Sequence, residues 1–241
     1  MERIMLAVSM LLLIATLSCT DTVAPVLTGD ITGFVFLLDG EGRQVKDKSG
    51  VKVSIEGRQN FTYTDSNGKY KLENVSAGIF NIVFEKEGYG LHKIIAREYT
   101  GGGQAFLYSI TLIELPAFEV SSLTITKSSD NLIISGNVTG ESSYYRNVII
   151  FFSKDSNVSS DPKNYLTQIT AYVYEDSSQF SRLIFNYKNW FESEDFEIGS
   201  IVHLAAYPST YNYGGYPDPE TGRYFYTGIG SNPFRESFVL E

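Results

Sequence analysis

The sequence predicts an all-β protein made of two consecutive β-sandwich domains. Apolar residues recur with period 2 in short runs, and beyond the N-terminal segment long stretches of period 3.6 are missing. Gly, Asn, Asp and Ser separate the runs, as strand-connecting turns require. The stretch "IELPAFEV" (113–120) contains Pro116, which cannot donate a ladder hydrogen bond and suits a strand edge or linker. It divides the chain into parts of about 85 and about 125 residues, each of ordinary domain size.

The N-terminus is set apart from both parts. Residues 1–18 open with Arg3 and continue as an apolar run from Ile4 to Leu17. That run is shorter than the about 20 residues needed to span a bilayer, and reads as a signal peptide; a buried core helix is the plainer alternative. Cys19 is the only cysteine of the 241 residues, so no internal disulfide is possible. The stretch "TLSC" (16–19) resembles a bacterial lipoprotein cleavage box. Such boxes usually carry leucine three residues before the cysteine. Thr16 occupies that place here and Leu17 comes one place late, while Ser18 fits the small residue before the cut. The resemblance implies lipidation of Cys19 and a Gram-negative outer-membrane lipoprotein on the cell surface or periplasmic face. An ordinary signal cleaved nearby, leaving a free thiol, is the alternative. Residues 19–28 then form a tether.

Glu2 and Arg3 cancel, so the mature chain keeps the net charge of −9. Such acidity argues against nucleic acid, which attracts basic surfaces, and against lying on anionic lipid.

In the first domain, "VKVSI" (51–55) places Val51, Val53 and Ile55 on one face, and "FNIVF" (80–84) does the same with Phe80, Ile82 and Phe84. Asn67-Gly68 predicts a two-residue hairpin with both residues at positive φ. In order, "GFV" (33–35), "GVKVSI" (50–55), "TDSNGKYKL" (64–72) and "SAGIFNIVFEKEGY" (76–89) resemble the carboxypeptidase regulatory-like family over 29–114. The resemblance implies a transthyretin-like sandwich, non-catalytic, serving folding or presentation.

The second domain, 117–241, begins with "LTITKSSDNLIISGNV", a hairpin turning near Asp130-Asn131. The runs "RNVIIFFSKDSNV", "SRLIFNY", "SIVHLAAYPST" and "RESFVLE" supply further strands. Their order is similar to a fibronectin type III or immunoglobulin-like sandwich, and an unclassified sandwich remains open.

Chemistry is sparse. His92 and His203 lack His or Cys neighbours, which argues against a zinc-type site. His203 alternates with Ile201, Ala205 and Tyr207 and reads as a packed or edge residue. Neither a G-x-S-x-G elbow nor a phosphate-binding loop occurs. "GGG" (101–103) reads as a turn. "DSNGKYKLENVS" starts like a calcium loop at Asp65 and Asn67, but carries Lys69 and Ser76 where ligands belong. "FESEDFE" (191–197) gathers Glu192, Glu194, Asp195 and Glu197; a solvated face is the bland reading, with paired carboxylates or an oxygen-ligated cation as alternatives. Neither catalytic residues nor a cofactor is expected.

The segment 207–230 stands apart. Seven of the 20 residues from Tyr207 to Tyr226 are Tyr or Phe, against 14% aromatic residues in the chain. Tyrosine offers an apolar face, a hydroxyl tip and few rotatable bonds, which suits binding surfaces. Tyr211, Tyr213, Tyr216, Tyr224 and Tyr226 are the candidate contacts for a polysaccharide, or for an envelope protein if the chain is an adhesin or assembly component. The alternative is a loop packed on its own rings. Trp190 is read as a core anchor or a second contact.

Overall fold

The computed structural model describes residues 26–210 and 214–241. The export segment, Cys19 and most of the tether lie outside them, as do Tyr211 and Tyr213. Regular structure in the described residues is nearly all strand, as expected, and forms β-sandwich units around separate buried clusters.

The first unit contains β1 (Thr28–Leu38), β2 (Lys52–Ile55), β3 (Phe61–Tyr63), β4 (Lys69–Ser76), β5 (Gly78–Glu85), β6 (His92–Tyr99), β7 (Gln104–Phe106) and β8 (Ile110–Ile113). β1 is central to one sheet, antiparallel to β4 and parallel to β7 and β8. The facing sheet runs β3-β2-β5-β6. Val51, Val53, Ile55, Phe80, Ile82 and Phe84 all enter the core between the sheets, so the period-2 reading holds residue by residue. On the wet face Lys52 sits opposite Glu85 and meets its carboxylate at 2.7 Å, a cross-strand pair of the kind that sets register.

Asn67-Gly68 does not form the expected hairpin. β3 and β4 belong to different sheets, so the turn crosses between layers. Gly68 has φ +83°, whereas Asn67 stays at negative φ. Gly68 N–H donates to the Asp65 carbonyl at 2.9 Å, and the Asp65 side chain accepts from the N–H groups of Asn67 and Lys69. This is a four-residue turn, 65–68, whose last residue is a left-handed glycine, held by an Asx interaction. That glycine is required twice over, since a Cβ there would also lie 2.1 Å from the Val35 carbonyl oxygen.

The second unit contains β9 (Val120–Ser128), β10 (Asn131–Val138), β11 (Arg146–Ser153), β12 (Thr167–Val173), β13 (Gln179–Ile184), the helix α1 (Tyr187–Ser193), β14 (Ile201–Ser209), β15 (Gly215–Pro217), β16 (Tyr224–Tyr226) and β17 (Phe234–Val239). Seven strands pair in the order β17-β14-β11-β12-β13-β10-β9, antiparallel throughout. The sheet curls until its edges meet: Lys127 Nζ on β9 donates to the Val239 carbonyl at 2.6 Å and pairs with Glu241 at 2.8 Å. β15 and β16 form a separate hairpin.

The acidic run 191–197 begins inside α1. Tyr187 and Phe191 are its buried anchors, and Trp190 packs edge-on against Phe152 and Phe191 at 5.8 and 4.7 Å. Trp190 is thus a core anchor. The helix stops where Asp195 turns to φ +68° and Phe196 N–H closes back on the Phe191 carbonyl. Seven residues are too few for a 3.6-residue period to stand out in the sequence.

β11 explains its own continuous apolar run, "RNVIIFFS". All eight residues are buried. Val148, Ile150 and Phe152 face the main core, while Ile149 and Phe151 face a further cluster with Val158, Tyr165, Ala205 and Tyr207. A strand covered on both faces loses its alternation, and part of the second cover comes from the aromatic segment.

Candidate functional site

The aromatic segment folds as a hairpin rather than a loose loop. Its turn is closed by Asp218, whose carboxylate accepts from Thr221 Oγ1 at 2.7 Å and Thr221 N at 3.0 Å, while Gly222 takes φ +71°. The Thr221 hydroxyl, foremost, holds the Asp218 carboxyl below its ordinary range despite partial desolvation. Asp218 is thereby a turn former and not a free ligand.

Two anchors orient the hairpin. On the second unit, the Tyr165 hydroxyl donates to the Tyr224 carbonyl at 2.8 Å and accepts from Tyr224 N–H at 3.0 Å. Beneath it Phe151 gathers Tyr165, Tyr207 and Tyr226 at ring separations of 4.8, 5.6 and 5.5 Å. On the first unit, Tyr216 meets His92 edge-on at 5.5 Å and stacks on Phe225 at 5.1 Å. Gly90 approaches so closely that a Cβ there would fall 1.8 Å from the Thr227 carbonyl oxygen. The hairpin therefore bridges the two units.

The five candidate tyrosines separate accordingly. Tyr216 is buried, at 8% exposure, and its ring is spent on His92 and Phe225 rather than presented outward. Tyr226 is half-buried against Phe151. Tyr224 is 50% exposed. Tyr211 and Tyr213 fall outside the described residues. A self-packed loop and a displayed ring thus coexist in one hairpin.

Between this hairpin and the first unit lies a groove of about 490 Å³. Tyr216 and His92 line it at the point where the units meet, Pro217 and Tyr224 on one side, Tyr108 and Ile94 on the other. Tyr108 is 64% exposed. Burial holds the His92 imidazole below its ordinary pKa, so it is neutral at pH 7 and lies against rings rather than charges. Burial also pushes the Tyr216 hydroxyl up, with the Glu56 carboxylate adding to the effect. Apolar faces with few charges favour stacking and hydrogen bonding over ion pairing. Tyr108 and His92 carry no signal in the sequence that links them to a segment more than a hundred residues away.

The other candidates separate from the groove. Glu192, Asp195 and Glu197 are exposed and Glu194 half-buried around the end of α1, and none lines the groove. Asp65 serves the turn described above. Among the described residues no three His, Cys, Asp or Glu side chains gather as a metal site. His203 is half-buried on β14 opposite Ser153 and Ser237.

No protein-family model matches the chain, and no curated protein sequence matches it. Solved structures give distant likenesses. A candidate carbohydrate binding protein of Bacteroides uniformis is 15% identical, with 86% of this chain and 100% of that chain covered and a TM-score of 0.29. A DUF3823 family protein of Bacteroides ovatus is 14% identical, covering 90% of this chain and 100% of that one, at 0.28. A mutant type II cohesin–X-dockerin complex of Acetivibrio cellulolyticus is 22% identical over 35% of this chain, at 0.30. The chain spans little more than half the length of the two such complexes it matches, 56% and 58%. At these TM-scores the likenesses carry no argument about function.

Proposed function

We propose that the chain is a non-catalytic binding protein, anchored to the outer membrane by acyl chains on Cys19, and that it captures glycans in the groove between Tyr108 and Tyr224. The modules are 29–114, a carboxypeptidase regulatory-like support, and 117–241, a fibronectin III or immunoglobulin-like module that carries the hairpin. The observation behind this reading is the pair of tyrosines left 64% and 50% exposed beside a ring-lined groove. An exposed ring forgoes the stabilisation that core packing would bring, yet Tyr224 sits on a braced hairpin and Tyr108 in the short connection between β7 and β8 beside it. Sugar rings present C–H faces that aromatic faces accept, and hydroxyls that tyrosine tips can bond. A glycan array tests it. Binding weakened at least tenfold by Tyr108→Ala with Tyr224→Ala supports the reading; silence across the array, or binding indifferent to the pair, overturns it. Labelling cells with palmitate, with Cys19→Ala as control, tests the anchor, and an unlabelled wild type removes it.

A protein partner is the second reading. Phe61 and Tyr63 are each 57% exposed on β3, a three-residue edge strand, and exposed strand edges pair with incoming chains. Cross-linking on intact cells that traps one defined protein at β3, lost with Phe61→Asp, would favour it.

A further inference from the structure

The outer face of the second sheet holds a second surface with a different composition. β9, β10, β13 and β12 lie side by side in that order. Register places Ser122 beside Asn137 and Asn137 beside Gln179; in the next row Thr124 is beside Ser135 and Ser135 beside Ser181. Their inward neighbours Leu132, Ile134 and Phe180 enter the core, so strand alternation directs these polar residues outward. Gly136 belongs to the inward set, and the Phe180 ring fills the space that a Cβ would need.

Two tyrosines border the face. Val173 is buried and pairs with Phe180, so Tyr172 and Tyr174 on either side point outward, 45% and 61% exposed. Tyr174 is braced edge-on by Tyr145 at 5.6 Å. β12 and β13 share that single register position and then diverge, which opens a trough of about 520 Å³ lined by these side chains.

The lining contains hydroxyls, amides and aromatic rings but no Asp, Glu, Lys or Arg. In a chain with 19 basic and 28 acidic residues, a charge-free face across four strands is a distinct chemistry. Exposed strands are ordinarily kept soluble and unpaired by charges. Ser, Thr, Asn and Gln both donate and accept hydrogen bonds, and the tyrosine faces add apolar contact. The paired strands β9, β10 and β13, about 4.8 Å apart, with the diverging β12 beyond them, make a platform wider than roughly 10 Å, enough for a short run of sugar units.

We propose that this platform is a separate binding site for neutral polysaccharide, with Tyr172 and Tyr174 as stacking residues and Asn137, Gln179 and Ser135 as hydrogen-bonding residues. It shares a ligand class with the groove at Tyr108 and Tyr224 but none of its residues, so either site stands if the other fails.

Affinity electrophoresis of the full mature chain tests it, with arabinoxylan, galactomannan, β-glucan and amylopectin as neutral probes and polygalacturonate as the charged one. At least one neutral probe retards the wild type. Tyr172→Ala with Tyr174→Ala, added to Tyr108→Ala with Tyr224→Ala so that the groove does not contribute, weakens the remaining retardation at least tenfold. Asn137→Asp is nearly isosteric and keeps the backbone N–H donated to Ser122 Oγ, but replaces the Nδ2–H donated to the same oxygen by a carboxylate that can only accept from the Ser122 hydroxyl; it weakens retardation at least fivefold by placing a charge on the platform, and keeps the test open if the tyrosine pair fails to fold. Retardation unchanged by either variant overturns the platform. Loss of all retardation in Tyr108→Ala with Tyr224→Ala also overturns it while sparing the groove. Retardation by polygalacturonate alone, or by no probe, overturns it as well.

Discussion

Gly90→Ala places one methyl group where the two units touch. The new Cβ would lie 1.8 Å from the Thr227 carbonyl oxygen and 2.5 Å from its carbon. Ordinary contact begins near 3.4 Å, so the Thr227 backbone must retreat by roughly 1.6 Å. A backbone carbonyl has no rotamer to change. Thr227 N–H is tied to the Gly214 carbonyl at 2.7 Å, so the base of the hairpin must move as a body. That motion separates Tyr216 from His92 and widens the groove. Overpacking of this kind costs about 1–3 kcal/mol, and at about 2–4 °C per kcal/mol for a chain of this size the melting midpoint falls by roughly 2–12 °C. Scanning fluorimetry and glycan affinity electrophoresis are the assays. Trp190 emission should stay native, because its neighbours Phe152 and Phe191 belong to the other core. Gly103→Ala is the control: nothing lies within 4 Å of the added Cβ, so its midpoint should move little. An unchanged midpoint together with unchanged glycan retardation in Gly90→Ala would refute the docking of the hairpin on the first unit.

Three more outcomes follow from the same geometry. Tyr165→Phe keeps the ring on Phe151 and removes both hydrogen bonds to the Tyr224 backbone; a cost of about 1–2 kcal/mol should appear as faster amide exchange at Tyr224, and unaltered exchange would count against this anchor. Gly68→Ala combines φ +83° with a 2.1 Å approach to the Val35 oxygen and should destabilise the first unit by about 2–4 kcal/mol; denaturant unfolding within error of wild type would contradict the turn geometry. His92 has a folded pKa depressed by burial below its ordinary 6.5, so the unfolded state binds the extra proton. Its contribution to stability is whole above 6.5 and is lost as pH falls from there through the folded value. A midpoint in His92→Phe that drops as much as wild type between pH 7 and 5 would show that His92 is not responsible.

Strand positions were legible because burial on one face imposes period 2, and Val51, Val53 and Ile55 obey it with 0, 0 and 1% exposure. The unbroken run in β11 was legible as strand, but not what covers its second face, since that cover comes from Tyr165, Tyr207 and Tyr226 elsewhere in the chain. Asn67-Gly68 misled because a turn dipeptide specifies a local reversal and does not say whether the next strand stays in the same sheet. Composition picked out the segment 207–230, yet it could not show the hairpin within it or orient the rings: Tyr216 turns in and Tyr224 turns out because His92, Phe225 and Tyr165 select their directions. Tyr108 was not visible at all, because only the packing of the two units brings residues 108 and 224 to one groove.

If Tyr108 and Tyr224 form one glycan-binding groove, as proposed, both rings contribute to affinity. Calorimetric titration of the mature chain with an array-selected oligosaccharide, in wild type, each single alanine variant and the pair, tests it most directly. Wild type should bind measurably, each single variant more weakly, and the pair at least tenfold more weakly with the fold intact. Affinity unchanged in the double variant would contradict it.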